Sequence, residues 1–151
     1  MKYIKIDENG IHIVFGITDR NQIKLLHFSK AEFCEEDICK FGPECKAEDL
    51  ARRDQLIDEA FQLVQVNLAG YDRPYEKHGN KHICTVPGYL LTYAGMDDCV
   101  NEMGRKITVY QEDKAVTHVR LETEMQFYKG TSVVRMKNRI INEGEDTQCL
   151  E

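Results

Sequence analysis

Residues 115–127 alternate more clearly than any other stretch of the chain. Ala115, Thr117, Val119, Leu121, Thr123, Met125 and Phe127 take every second place, with His118, Arg120, Glu122, Glu124 and Gln126 between them. Side chains on a strand point to opposite faces in turn, so this pattern requires one buried face and one wet face, as antiparallel sheets have. After Gly130 the pattern returns over residues 131–142, where Val134, Met136 and Ile140 lie opposite Arg135, Lys137 and Arg139. Pairing the two strands sets those basic side chains across from Glu122 and Glu124, where opposite charges stabilise a sheet.

Shorter β patterns surround this pair. Asn9-Gly10 tolerates the positive φ angles of a type I′ turn and joins Ile4 and Ile6 to Ile11, Ile13 and Phe15 in a hairpin. A third strand spans residues 22–28 after the turn Thr18-Asp19-Arg20-Asn21, and further strands are predicted over 61–69, 88–94 and 105–111. Residues 142–146 form a polar turn, and 147–151 open another strand. Between residues 29 and 60 the period changes: 46–60 reads as a helix with Leu50, Ile57 and Phe61 near one face, and Gly42-Pro43 marks a bend. Eight or nine short strands with one helical insertion predict a mainly β fold, an antiparallel β-sandwich formed by residues 1–151 as a single domain.

Composition narrows the function. A net charge of −6 argues against nucleic acid, whose binding draws on surplus Lys and Arg. The longest apolar runs, such as Gly88-Tyr89-Leu90-Leu91, are far too short to span a bilayer. The opening Met1-Lys2-Tyr3-Ile4-Lys5-Ile6-Asp7 alternates charge with apolar residues and lacks the continuous apolar stretch of a secretory signal. The expected location is therefore the cytoplasm, with Cys34, Cys39, Cys45, Cys84, Cys99 and Cys149 as reduced thiols; none forms a C-x-x-C pair.

No nucleophile elbow, P-loop or G-x-G-x-x-G run is present. Cys84 beside His82 is the nearest approach to a nucleophile and base, and His78, His82 and Cys84 the nearest to a zinc site, but three irregularly spaced ligands without a distant partner favour an ordinary strand and loop. Glu122 and Glu124 share a strand face at about 7 Å, within the range of a glycosidase carboxylate pair, yet acids flanked by arginine on a wet face are more simply solvated surface. His118 and Glu122 are the one same-strand pair suited to a sugar mutarotase. The residues by themselves thus predict no catalytic centre, no metal and no cofactor.

The second half carries a further signal. His78-Gly79-Asn80-Lys81-His82, Thr85-Val86-Pro87-Gly88 and Leu90-Leu91-Thr92-Tyr93 are followed by Asn101-Glu102-Met103-Gly104-Arg105, Val133-Val134-Arg135, Asn142-Glu143-Gly144 and Leu150-Glu151. This series resembles the N-terminal domain of glycoside hydrolase family 36, the α-galactosidase-like enzymes. The resemblance implies a β-sandwich of the supersandwich type, the N-terminal fragment of a longer enzyme, without catalytic residues of its own. Its partners would be a catalytic (β/α)8 barrel in the same chain and further copies in a homo-oligomer, and the parent enzyme would act on α-galactosides. In such enzymes a loop of this domain can reach a neighbouring subunit's sugar site; Tyr71, Asp72 and Arg73 would be that loop here, an aromatic plate beside a charged pair. The alternatives are a free-standing carbohydrate-binding sandwich and a mutarotase-like sandwich using His118 and Glu122.

Overall fold

The structure is a computed structural model that describes residues 1–38, 61–71 and 85–150. Two antiparallel sheets dominate it. The first runs β1 (Lys2–Glu8), β2 (Ile11–Ile17), β3 (Ile23–Ser29), and the second β4 (Thr92–Val100), β5 (Arg105–Asp113), β6 (Val119–Phe127), β7 (Val134–Asn142). Each strand pairs with the next in sequence, so both sheets are meanders built from local turns. A short helix α1 (Glu35–Ile38) follows the first sheet, and α2 (Val86–Leu90) leads into the second. No helix among the described residues is long and apolar enough to cross a membrane.

The sheets pack face to face. Ile6, Ile11, Ile13, Phe15 and Ile23 of the first meet Ile107, Val109, Met125 and Phe127 of the second in one buried cluster with Leu63. Each such side chain contributes about 1.5–3 kcal/mol when taken out of water. The alternation expected for residues 119–127 holds along β6: Val119, Leu121, Thr123, Met125 and Phe127 are all buried. At the hairpin tip Asn9 and Gly10 take φ values of 51° and 74°, as a type I′ turn requires. Asn9 Nδ2 donates to the Tyr128 carbonyl at 2.9 Å and Ser132 Oγ donates to the Asn9 carbonyl at 2.7 Å, which ties this tip to the turn between β6 and β7.

Four expectations change. Residues 61–69 do not form a strand; Gln62 bridges Lys24 of β3, and Leu68 bridges Leu150 outside the sheets, an isolated bridge being all that residues 147–150 form where a further strand is predicted. Phe61 lies at φ 56°, and Leu63, Val66 and Leu68 are buried at unequal spacing, so the segment lies over the sheets as a cover. Val66 and Leu68 form a second cluster with Leu91, Val119 and Leu121. The strand predicted over 88–94 is displaced, because Thr85 caps α2 by accepting from Gly88 N at 3.2 Å and Pro87 suits its first turn. The true strand starts at Thr92 and continues through a bulge at Gly95 (φ 148°) to Val100. The strand predicted from Ala115 starts instead at Val119, since residues 114–117 turn. The helix predicted over 46–60 and the Gly42-Pro43 bend lie outside the described residues.

Two turns hold the larger sheet in register. Between β4 and β5 the backbones of Asn101 and Gly104 exchange hydrogen bonds, and Asn101 Oδ1 accepts from Met103 N and Gly104 N, both at 3.0 Å. Gly104 has φ 146°, and a Cβ there would stand 2.4 Å from the Phe127 carbonyl oxygen. Between β5 and β6 the buried Asp113 carboxylate accepts from the amides of Ala115, Val116 and Thr117 and from Thr117 Oγ1. Burial pushes this carboxyl up, but the bonds from Thr117, Ala115 and Val116 outweigh it and hold it below the ordinary aspartate value.

Replacing Gly104 by alanine should cost about 2 kcal/mol or more, since both the φ angle and the Phe127 backbone oppose a side chain; urea denaturation that leaves the midpoint unmoved would contradict this. For Asp113→Asn we expect a loss of about 1–3 kcal/mol near neutral pH. Because the folded carboxyl is depressed, its contribution is present above the unfolded aspartate value of about 4 and lost as pH falls through the folded one. Wild type and variant should therefore converge in acid, which melts taken from pH 7 to pH 3 will read.

Candidate functional site

The outward face of the larger sheet gathers most of the chemistry. Register places Asp97 beside Thr108, Glu124 beside Thr108 and Lys137, and Glu122 between Tyr110 and Arg139. Side chains two apart on each strand share this face, so it carries Lys106, Thr108, Tyr110 and Glu112 from β5, Arg120, Glu122 and Glu124 from β6, and Arg135, Lys137 and Arg139 from β7. Charges of opposite sign therefore meet across neighbouring strands, as the sequence predicts for Glu122 and Glu124.

Contacts confirm a connected network. Glu122 stands in two ion pairs, with Arg120 Nη2 of its own strand at 3.1 Å and Arg139 Nη1 of β7 at 3.5 Å. Lys106 Nζ stands 3.7 Å from Glu124, and Arg120 reaches Glu143 at 3.8 Å. The Arg120 guanidinium also lies over the Tyr110 ring, 5.3 Å from its centroid, while Tyr110 donates its hydroxyl to Asp97 at 2.7 Å. That bond to an anion raises the Tyr110 phenol above its usual value and keeps it protonated. Between β6 and β7 the face dips into an open groove of about 330 Å³, lined by Thr108, Glu122, Glu124, Lys137, Asn138 and Arg139.

A second charged cluster lies at the seam between the sheets. Arg105 makes a two-pronged contact with Asp98, at 3.0 Å through Nε and 2.7 Å through Nη2, and reaches Glu8 of β1 at 3.5 Å. The hydrogen bond from Arg105 holds the Asp98 carboxyl below the usual aspartate range. This cluster fastens one sheet to the other.

The sequence-predicted candidates distribute unevenly. Tyr71 is half-buried and packs against the cluster of Val66, Leu68, Leu91, Val119 and Leu121, with its amide donating to the Leu68 carbonyl at 3.2 Å. Asp72 and Arg73 lie outside the described residues, as do His78, His82 and Cys84. Among the described residues no group of three His, Cys, Asp or Glu side chains is placed to hold a metal ion. His118 is exposed at φ 52°, ahead of β6, so the strand alternation that would set it on the face of Glu122 begins one residue after it. Glu122 and Glu124 do share a face, but both stand in ion pairs with basic side chains. Glycoside hydrolysis needs one acid that donates a proton.

Asp97, Thr108 and Tyr110 escape the sequence reading. The strand predicted over 88–94 stops short of Asp97, whereas β4 runs on to Val100 past a bulge between Tyr93 and Gly95. The alternation of Thr108 and Tyr110 with the apolar Ile107 and Val109 was the available signal.

Comparison with known protein families and with curated proteins finds no match to this chain.

Converting Glu122 to alanine leaves Arg120 and Arg139 facing each other without their shared anion. The expected loss is about 0.5–1 kcal/mol at low salt, shrinking as salt screens the cations. Urea melts at low and at half-molar salt will show it; a loss that does not depend on salt would mean that packing, not charge, holds Glu122.

Proposed function

We propose that this chain is the non-catalytic N-terminal β-sandwich of an α-galactosidase-like glycoside hydrolase, where it supports the catalytic barrel and the assembly of copies. The observation that carries the reading is the width of the sandwich. Every inward residue of β6 is buried, but on the neighbouring β7 the inward Met136 and Ile140 remain 36% and 37% exposed, and Val133 just before it 55%. The three-stranded sheet covers Met125 and Phe127 of β6 and reaches Val134 of β7, while Val66, Leu68 and Leu91 cover Val119 and Leu121; Met136 and Ile140 belong to neither cluster. An apolar strip of this kind suits a module that packs against a further body. The satisfied ion pairs of Glu122 and Glu124 agree with a supporting role, and the motif series from His78 to Glu151 supplies the family. A cytoplasmic location goes with this reading, which the exposed free thiols Cys34, Cys99 and Cys149 suit.

The groove lined by Thr108, Glu122, Glu124, Lys137, Asn138 and Arg139 favours a second reading, a carbohydrate-binding sandwich, because vicinal hydroxyls pair well with fixed carboxylates and cations. The two readings separate experimentally. The 151-residue chain alone should leave p-nitrophenyl α-D-galactopyranoside intact, whereas the complete product of its reading frame should hydrolyse it. Hydrolysis by the chain alone, or a reading frame that encodes no barrel, would sink the proposal. Saturable binding of free galactose by the chain, abolished by Glu122→Ala, would favour the second reading.

A further inference from the structure

The two edges of the four-stranded sheet differ in how they are closed. On β4, the bulge at Gly95 interrupts the ladder, and Tyr93 is tied to Asn21 by two hydrogen bonds, N to the Asn21 carbonyl and Asn21 Nδ2 to the Tyr93 carbonyl. On β7 no bulge or cross-tie of this kind occurs among the described residues, and its protection against non-selective pairing is the row of cations Arg135, Lys137 and Arg139. Its nine residues pair with β6 without a register shift, contain neither Gly nor Pro, and have no strand on the other side among the described residues. Such an edge presents a regular row of unpaired backbone donors and acceptors.

The side chains of β7 say which strand fits there. Its outward face carries Arg135, Lys137 and Arg139, a local concentration of cations on a chain of net charge −6. Its inward face carries Val134, Met136 and Ile140, with Asn138 between the last two accepting from Thr123 Oγ1 at 3.0 Å. On its occupied side β7 already shows its preference: Glu122 stands opposite Arg139, Glu124 opposite Lys137, Leu121 opposite Ile140 and Met125 opposite Met136. We propose that the free edge of β7 binds, by strand addition, an extended segment of another polypeptide that alternates acidic with apolar residues. The acids would complete the Arg135, Lys137 and Arg139 row, and the apolar residues would cover the exposed strip of Met136 and Ile140.

A second copy of this chain fits poorly. Two β7 strands paired antiparallel about Asn138 place Lys137 opposite Arg139, and about Lys137 they place Arg135 opposite Arg139, so like charges meet in either register. The β4 edge of another copy offers Asp97 alone on the matching face, next to the bulge. This inference rests on the geometry of β7 and gives the Met136 and Ile140 strip to an added strand, so it competes with the reading in which the barrel covers that strip, and it does not depend on the parent protein hydrolysing galactosides.

The test uses the 151-residue chain and a fluorescent nine-residue peptide that alternates glutamate with valine, against the same peptide with lysine for glutamate and one N-methylated along its backbone. We expect anisotropy to report binding of the acidic peptide only, and amide exchange to slow at alternate residues of β7. Arg135→Glu should weaken binding about five-fold or more at low salt, the cost of turning one cross-strand attraction into repulsion. Arg135 faces Gln126, so this variant leaves the Glu122 and Glu124 pairs in place; Lys137→Glu provides a second variant with the same expected direction. Equal binding of the lysine peptide, or binding without protection in β7, would overturn the proposal. So would protection of the same amides with a doubled mass in the absence of peptide, which would assign the edge to a second copy.

Discussion

The contact between the inner faces of the two sheets is what the rest of the molecule depends on. Ile13 and Phe15 of β2 and Ile107, Met125 and Phe127 of the larger sheet are fully buried against one another. Neither sheet has a water-free face by itself, so each is stable because the other covers it. The polar ties at the margin work only because this contact has already brought the partners together. Asn9 reaches Tyr128 and Ser132 reaches Asn9 across 119 and 123 residues of chain, and Arg105 reaches Glu8 across the same seam.

That contact also determines where function can reside. Packing consumes one face of each sheet, leaving the outward face of β4 to β7 as the broad surface on which charged side chains stand in ordered rows. A sheet holds such rows at fixed spacing, which is why Glu122 meets Arg120 and Arg139 together and why Tyr110 lies between Asp97 and Arg120. The same rows end abruptly at β7, where Met136 and Ile140 belong to neither buried cluster. Both proposals, a supporting module and a strand-accepting edge, start from a second sheet one strand wider than the first.

The residue pattern alone made much of this legible. Alternation identified β6 and β7 and the pairing of their charges, and the Asn9-Gly10 turn identified the first hairpin, because a two-residue period and a positive φ requirement are local properties. It failed where local patterns are ambiguous. Residues 61–69 are apolar enough for a strand but lie over the core as a cover, and Thr85-Val86-Pro87-Gly88 carries a helix cap that a strand reading overlooks.

What the sequence by itself determined is the class of fold, the mainly antiparallel β architecture with one wet face, since side-chain period and turn chemistry depend on neighbours a few residues away. Only the tertiary structure decided which strands stand at the edges, which acids are neutralised by which cations, and how far one sheet covers the other. Those properties depend on residues far apart in the chain, such as Glu8 with Arg105 and Leu63 with Phe127, and no local pattern encodes the distance at which two faces will meet.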